Sequence, residues 1–136
     1  MLSLRLKTVA ALVPFGARVC DIGTDHARLP IYLIQSGIAK SVIAADLREK
    51  PLEKARENIR LAGVLGIDTR LCNGFDGIGA EEFDAAVIAG IGGEVISGII
   101  DRADILKNAD KLLILQPTTS PEILRRFLCE NGFMAE

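Results

Sequence analysis

Two short strings in this 136-residue sequence hold residue types and spacings that can do chemistry. The first, Asp21-Ile22-Gly23-Thr24-Asp25-His26, sets two carboxylates, one glycine and the only histidine of the chain side by side. A dinucleotide site needs G-x-G-x-x-G spacing, because backbone amides must approach a pyrophosphate closely. Here Gly23 stands alone, and Asp21 and Asp25 would repel a pyrophosphate. They suit a ligand with an ammonium group, such as the amino-acid end of S-adenosylmethionine. The second string, Gly90-Ile91-Gly92-Gly93, has three glycines in four positions. Such a turn lets a flat ligand lie against the backbone, and a helix opening there can also hold an anion. It lacks the Lys-Ser/Thr ending of a Walker loop.

Other residues extend these strings. Asp46, followed by Leu47, lies 25 residues after Asp21 and can accept both hydroxyls of a ribose. Asn73-Gly74-Phe75-Asp76-Gly77 has the groups to bond an adenine amino group and face its ring. Each string also has a plainer reading: Gly23 as a tight turn, Asp25 as a helix cap, Asp46 as a solvated strand end, the two glycine strings as turns. His26 is as readily structural as functional. One histidine makes no zinc constellation, and no nucleophile-elbow motif supports a Ser-His-Asp reading.

These residues must be positioned by strands and helices, and the apolar pattern supplies them. Ser3 caps a first helix with Leu6, Val9, Ala10 and Val13 on one face. Strands are expected at 18–22, 41–46, 68–72, 85–89 and 111–116, with helices at 30–36, 51–62 and 92–107 between them. Ser120 reads as the cap of a last helix that Gly132 closes, and Phe133 as the start of a sixth strand. Alternating strands and helices imply an α/β fold: a doubly wound, mostly parallel, Rossmann-like sheet. In such sheets ligands bind beyond the carboxyl ends of the strands. All five loops at those ends carry Gly, Pro, polar or charged residues.

Composition sets the outer bounds. Hydrophobic residues make up 49% and charged residues 25%, values of a globular chain of one-domain length. The formal charge of −2 leaves no whole-domain footprint for nucleic acid, although it allows a local basic face. Cys20, Cys72 and Cys129 lack CxxC spacing, so neither a disulfide framework nor a metal site is expected, and Cys20 reads as a buried strand residue. The apolar stretch at 8–17 is broken by Pro14 and Gly16, and no run approaches the ~18 residues of a membrane helix. A cytoplasmic protein is expected. No domain-closing signal follows Phe133, so the chain reads as one catalytic domain, 1–136, of a longer protein.

Together, Val19-Cys20-Asp21-Ile22-Gly23-Thr24-Asp25-His26-Ala27, Leu29-Pro30-Ile31, Ile88-Ala89-Gly90-Ile91-Gly92-Gly93, Leu113-Ile114-Leu115-Gln116-Pro117 and the later Leu124-Arg125-Arg126-Phe127-Leu128 with Asn131-Gly132-Phe133 resemble the bacterial tRNA adenine-22 N1-methyltransferase family, TrmK. The resemblance implies methyl transfer from S-adenosylmethionine to N1 of an adenine in the tRNA D-arm, and a further C-terminal helical domain. It implies that Asp21, Gly23, Thr24, Asp46, Leu47, Asn73, Gly74, Gly90 and Ile91 face the cofactor. Arg28, Gly92, Gly93, Gln116 and Pro117 would face the substrate, and Asp25 and His26 would act in catalysis, with no metal. The family carries Met where this chain has Ile91, and often an aromatic where it has Arg28. Two other classes stay open on the residues alone. One is a nicotinamide-dependent oxidoreductase, against which the missing fingerprint counts. The other is a silent nucleoside-binding domain; within the transferases, a small-molecule substrate is also compatible.

Overall fold

The computed structural model describes residues 2–107 and 110–135. Ten main elements alternate along the chain: α1 (Leu4–Ala11), β1 (Ala17–Ile22), α2 (Arg28–Gln35), β2 (Ala39–Asp46), α3 (Glu49–Ala62), β3 (Ile67–Leu71), β4 (Ala85–Ile91), α4 (Gly93–Arg102), β5 (Leu112–Pro117) and α5 (Pro121–Glu130). The strands form one five-stranded sheet in the order β3-β2-β1-β4-β5, and every pair is parallel. The chain winds outward from β1 to β3, returns, and winds outward again through β4 and β5. Neighbouring β1 and β4 therefore flank the switch point, the place where sheets of this kind bind their ligands.

Strand side chains alternate between the two faces. Cys20, Ile22, Ile43, Ala86 and Ile88 pack on one face against Ile96 and Ile100 of α4 and Leu124 of α5. Val19, Val42, Val87 and Ile114 pack on the other against Val9 and Ala10 of α1 and Leu29 and Leu33 of α2. A sheet buried on both sides explains why β4 reads as a continuous apolar run. In α3, Leu52 and Ala55 are buried against Ala27, and the charged residues at 53, 54, 56, 57 and 60 are exposed. The Ser3 hydroxyl accepts the Leu6 N–H at 3.3 Å, and Gly63 ends α3 at φ 67°, as the sequence suggested.

Three expectations change. The helix expected to reach Lys107 ends at Arg102; Ala103, at φ −89° and ψ 87°, breaks it before a 3₁₀ turn at Asp104–Leu106. Ser120 does not cap α5 with its side chain. It sits at φ 51° with no cap bond, and its hydroxyl donates to Glu94 Oε1 at 3.2 Å. Phe133 begins no strand; its N–H closes the end of α5 on the Leu128 carbonyl at 3.0 Å, and its ring joins the α4–α5 side of the core. No helix of the described residues is long and apolar enough to cross a membrane.

Candidate active site

The period of two places Asp21 and Asp46 on the same face of the sheet as Val19 and Val42, at the carboxyl ends of adjacent strands. Their environments differ. Asp46 is 3% exposed and well bonded: Oδ2 accepts the Asp25 N–H at 3.0 Å, and Oδ1 accepts the Arg48 N–H at 2.9 Å. The Arg48 guanidinium adds a contact at 3.4 Å. Asp46 is thus no solvated strand end; it ties the β1–α2 loop to the end of β2. Asp21 is 5% exposed, and burial pushes its carboxyl up to about 7, with the Asp46 charge adding to the rise and the Thr24 hydroxyl opposing it. Thr24 Oγ1 is itself buried and finds no hydrogen-bond partner at bonding geometry. A buried, strongly perturbed carboxyl beside an orphaned hydroxyl at a switch point is a candidate ligand site.

The loop between them is tightly shaped. Gly23, at φ 75°, turns the chain so that the Gly23 and Thr24 amides both reach the Ala45 carbonyl, at 2.9 and 2.8 Å. Asp25 and Ala27 adopt φ 58° and 61°, a conformation that costs a non-glycine residue about 1–3 kcal/mol and is held only where the surroundings enforce it. Here the Asp46 carboxylate holds the Asp25 amide, and Asn58 Nδ2 donates to the His26 carbonyl at 2.9 Å. Asp25 is not the cap of α2, because Ala27 occupies that position. Its side chain is 55% exposed, 3.7 Å from Arg48 and 3.9 Å from His26 Nε2. His26 Nδ1 lies 3.5 Å from the exposed Arg28 guanidinium. Asp25, His26 and Arg28 therefore cluster at the surface of the loop that follows the buried Asp21.

The remaining candidates lie at the carboxyl ends of the strands on either side of the switch point. Leu47, 63% exposed, follows Asp46, and Leu71, 51% exposed, is the residue paired with Asp46 on β3. Asn73 is exposed after β3, and its Oδ1 accepts from Arg102 at 2.8 Å. Gly74 turns at φ 59° against Ile99. On the other side, Gly90 makes a bulge between Ala89 and Ile91 at φ 80°. Gly92 and Gly93 have a packing reason: a Cβ at Gly93 would lie 2.3 Å from the Ser120 carbonyl, and one at Gly92 would lie 2.8 Å from Thr119 Oγ1. The Gly93 N–H is already bonded to the Thr119 carbonyl at 2.8 Å, so that amide is not free for an anion. Gln116 and Pro117 end β5 level with Ala89 and Ile91.

Sequence reasoning missed Arg5, Arg48, Asn58 and Leu71. Arg48 and Leu71 had a local signal, a basic residue after a strand-ending carboxylate and an apolar residue at a strand end. Arg5 and Asn58 had none, because they reach the site from other helices. Among the described residues, no group of three or more His, Cys, Asp or Glu side chains could hold a metal.

Comparison with known proteins bears on the family and the fold. The chain is 36% identical over 133 residues to the tRNA (adenine(22)-N(1))-methyltransferase of Bacillus subtilis, covering 97% of this chain and 56% of that protein. It superposes on the crystal structure of the B. subtilis M1A22 tRNA methyltransferase TrmK with a TM-score of 0.90 at 36% identity, covering 96% of this chain and 56% of the other. M. capricolum TrmK, solved with S-adenosyl-homocysteine, superposes with a TM-score of 0.82 at 36% identity, covering 96% and 58%. The chain thus spans little more than half the length of these relatives. The profile of the methyltransferase domain family matches residues 2–136. With the sheet order, the acidic switch-point loop and this match in agreement, the chain belongs to the methyltransferase domain family.

Proposed function

We propose that this chain binds S-adenosylmethionine at the β1/β4 switch point and directs its methyl group to N1 of adenine 22 in the D-arm of tRNA, in the cytoplasm. The observation that carries the cofactor assignment is the buried Asp21 carboxyl beside the unpartnered Thr24 hydroxyl. Both want a ligand with hydrogen-bond donors, and an ammonium group supplies them while holding Asp21 ionised. The single glycine of this loop provides no cradle for a pyrophosphate. The adenine-22 assignment rests on the likeness to the TrmK proteins.

The residues divide the work. Asp21, Gly23 and Thr24 hold the amino-acid end. Asp46, with one lone pair of each oxygen engaged by an amide, keeps acceptor capacity for ribose hydroxyls. Leu47, Asn73, Gly74 and Ile91 border the nucleobase. The bound cofactor supplies an electrophilic methyl group. Adenine N1 presents an in-plane lone pair and needs no base to remove a proton; orientation supplies most of the rate. The product ring is cationic, and Asp25 at the mouth stabilises the developing charge, with His26 at its side. The target base leaves its stack to reach this depth. Arg28 and Arg48 give the mouth cations for the flanking phosphates, although the chain as a whole is acidic.

The test uses the full-length protein, unmodified tRNA and methyl-labelled cofactor, followed by nucleoside analysis. N1-methyladenosine at position 22 is expected; label in another acceptor, or in none, rejects the substrate assignment. In the same assay Asp25→Asn lowers the rate by about tenfold or more. Full methylation with full cofactor affinity in that variant removes Asp25 from the mechanism.

A further inference from the structure

We infer that Gln116 is a substrate-binding residue that donates a hydrogen bond from its amide nitrogen to a purine ring nitrogen other than N1, and that Arg5 positions it for this. The inference rests on the proposed adenine acceptor. Gln116 ends β5 level with Ala89, two residues beyond Ile114, and so faces the α1–α2 side of the sheet, as do Asp21 and Asp46. Its Oε1 accepts two bonds, from Arg5 Nη1 at 2.9 Å and from the Gly90 N–H at 3.2 Å. Both partners can only donate, so the amide atom turned to them is the oxygen. The amide NH₂ is turned the other way and meets no acceptor among the described residues.

The frame around this amide is built from three distant parts of the chain. Arg5 lies 111 residues from Gln116, on α1, which is fixed by its Ser3 cap and by buried Val9, Ala10 and Val13. Gly90 is in the left-handed conformation at the bulge, where its amide can reach the glutamine; a Cβ there would lie 3.1 Å from Arg5 Nη1. The glycine therefore both aims an amide and leaves room for the guanidinium. A free glutamine can turn either end of its amide to a base. One whose carbonyl is pinned by two donors presents donors only. Adenine offers three ring acceptors, N1, N3 and N7, and a 6-amino donor. A donor on N1 would occupy the lone pair that takes the methyl group. The pinned amide cannot accept from the 6-amino group. N3 and N7 remain, and a bond to either holds the ring with N1 free.

The test compares tRNA carrying adenosine, 7-deazaadenosine or 3-deazaadenosine at the target, using the full-length protein and reading KM for RNA and affinity for S-adenosylmethionine. In the wild type, removing the bonded nitrogen raises KM about tenfold for one analogue, as one lost hydrogen bond does, and that analogue identifies the nitrogen. Gln116→Glu keeps an oxygen on Arg5 and Gly90 but turns an acceptor to the ring. It raises KM about tenfold or more on adenosine tRNA and shows no further rise on the sensitive analogue. Arg5→Ala raises KM for RNA more than it lowers kcat, cofactor affinity holds, and Arg5→Lys restores KM. Equal losses of Gln116→Glu on all three substrates, no loss on any, or a loss in cofactor affinity alone overturns the inference. A wild-type protein that methylates no adenosine rejects the proposed function instead, and the purine contact with it.

Discussion

Asp21 and Asp46 end neighbouring strands on one face, and their fates differ because only Asp46 receives returning backbone amides. Asp21 is left to the burial penalty, with a carboxyl pushed up to about 7. The consequence for stability has a definite sign. Between pH 4 and 7 the unfolded chain gives up this proton and the folded chain keeps it, so rising pH weakens the fold across that window and no further above it. Asp21→Asn removes the dependence. Denaturant titrations of the ligand-free protein at pH 5 and pH 8 should show the variant gaining on the wild type by about 1–3 kcal/mol across that range; a constant gap would show that Asp21 is ionised throughout. Both carboxylates were legible in the sequence, as acids closing apolar runs. Their difference was not, because it depends on the left-handed Asp25 presenting its amide to Asp46. Arg5 and Gln116 were illegible as a pair for a similar reason: no local pattern joins residues 111 positions apart.

At the scale of elements, the run from Gly90 to Pro121 shows where pattern reading stops. Strand β4 followed from its continuous apolar run, and α4 buries Ile96 and Ile100 at helical spacing. The cap at Ser120 did not, although Ser-Pro is a common helix start. The reason lies across the fold, where the β5–α5 loop folds over Gly93 and takes its N–H. Two glycines of α4 thus have opposite roles. Gly93→Ala pushes a methyl group into the Ser120 carbonyl and should cost about 1–3 kcal/mol. Gly98, exposed with nothing within 4 Å of an added Cβ, should gain about 0.5–1 kcal/mol on replacement by Ala. Chemical denaturation of both variants checks the pair; equal effects would mean that the loop yields freely.

For the whole molecule, the doubly wound parallel sheet was legible because short apolar runs alternate with amphipathic segments, and the right-handed crossover leaves few ways to join them. The segment entering β4 is fixed separately. Arg18 pairs with Asp84 at 2.9 Å, and Arg70 pairs with Glu82 at 2.6 Å and Asp68 at 2.8 Å. These guanidinium partners hold the Glu82 and Asp84 carboxyls down at about 2. Their support is fully present above the usual carboxylate range and is lost as pH falls toward 2. Thermal melts between pH 5 and 2 should show a steeper fall for the wild type than for Glu82→Gln; identical slopes would mean that the pair is solvated away.

We propose that the switch-point site is built for a cationic nucleoside rather than a pyrophosphate. Calorimetric titration of S-adenosylmethionine and NAD into wild-type and Asp21→Asn protein at pH 8 tests it most directly. Saturable binding of S-adenosylmethionine is expected, at least about tenfold weaker in Asp21→Asn, with no binding of NAD. Binding of NAD alone, or S-adenosylmethionine affinity unchanged by the loss of the Asp21 charge, would contradict it.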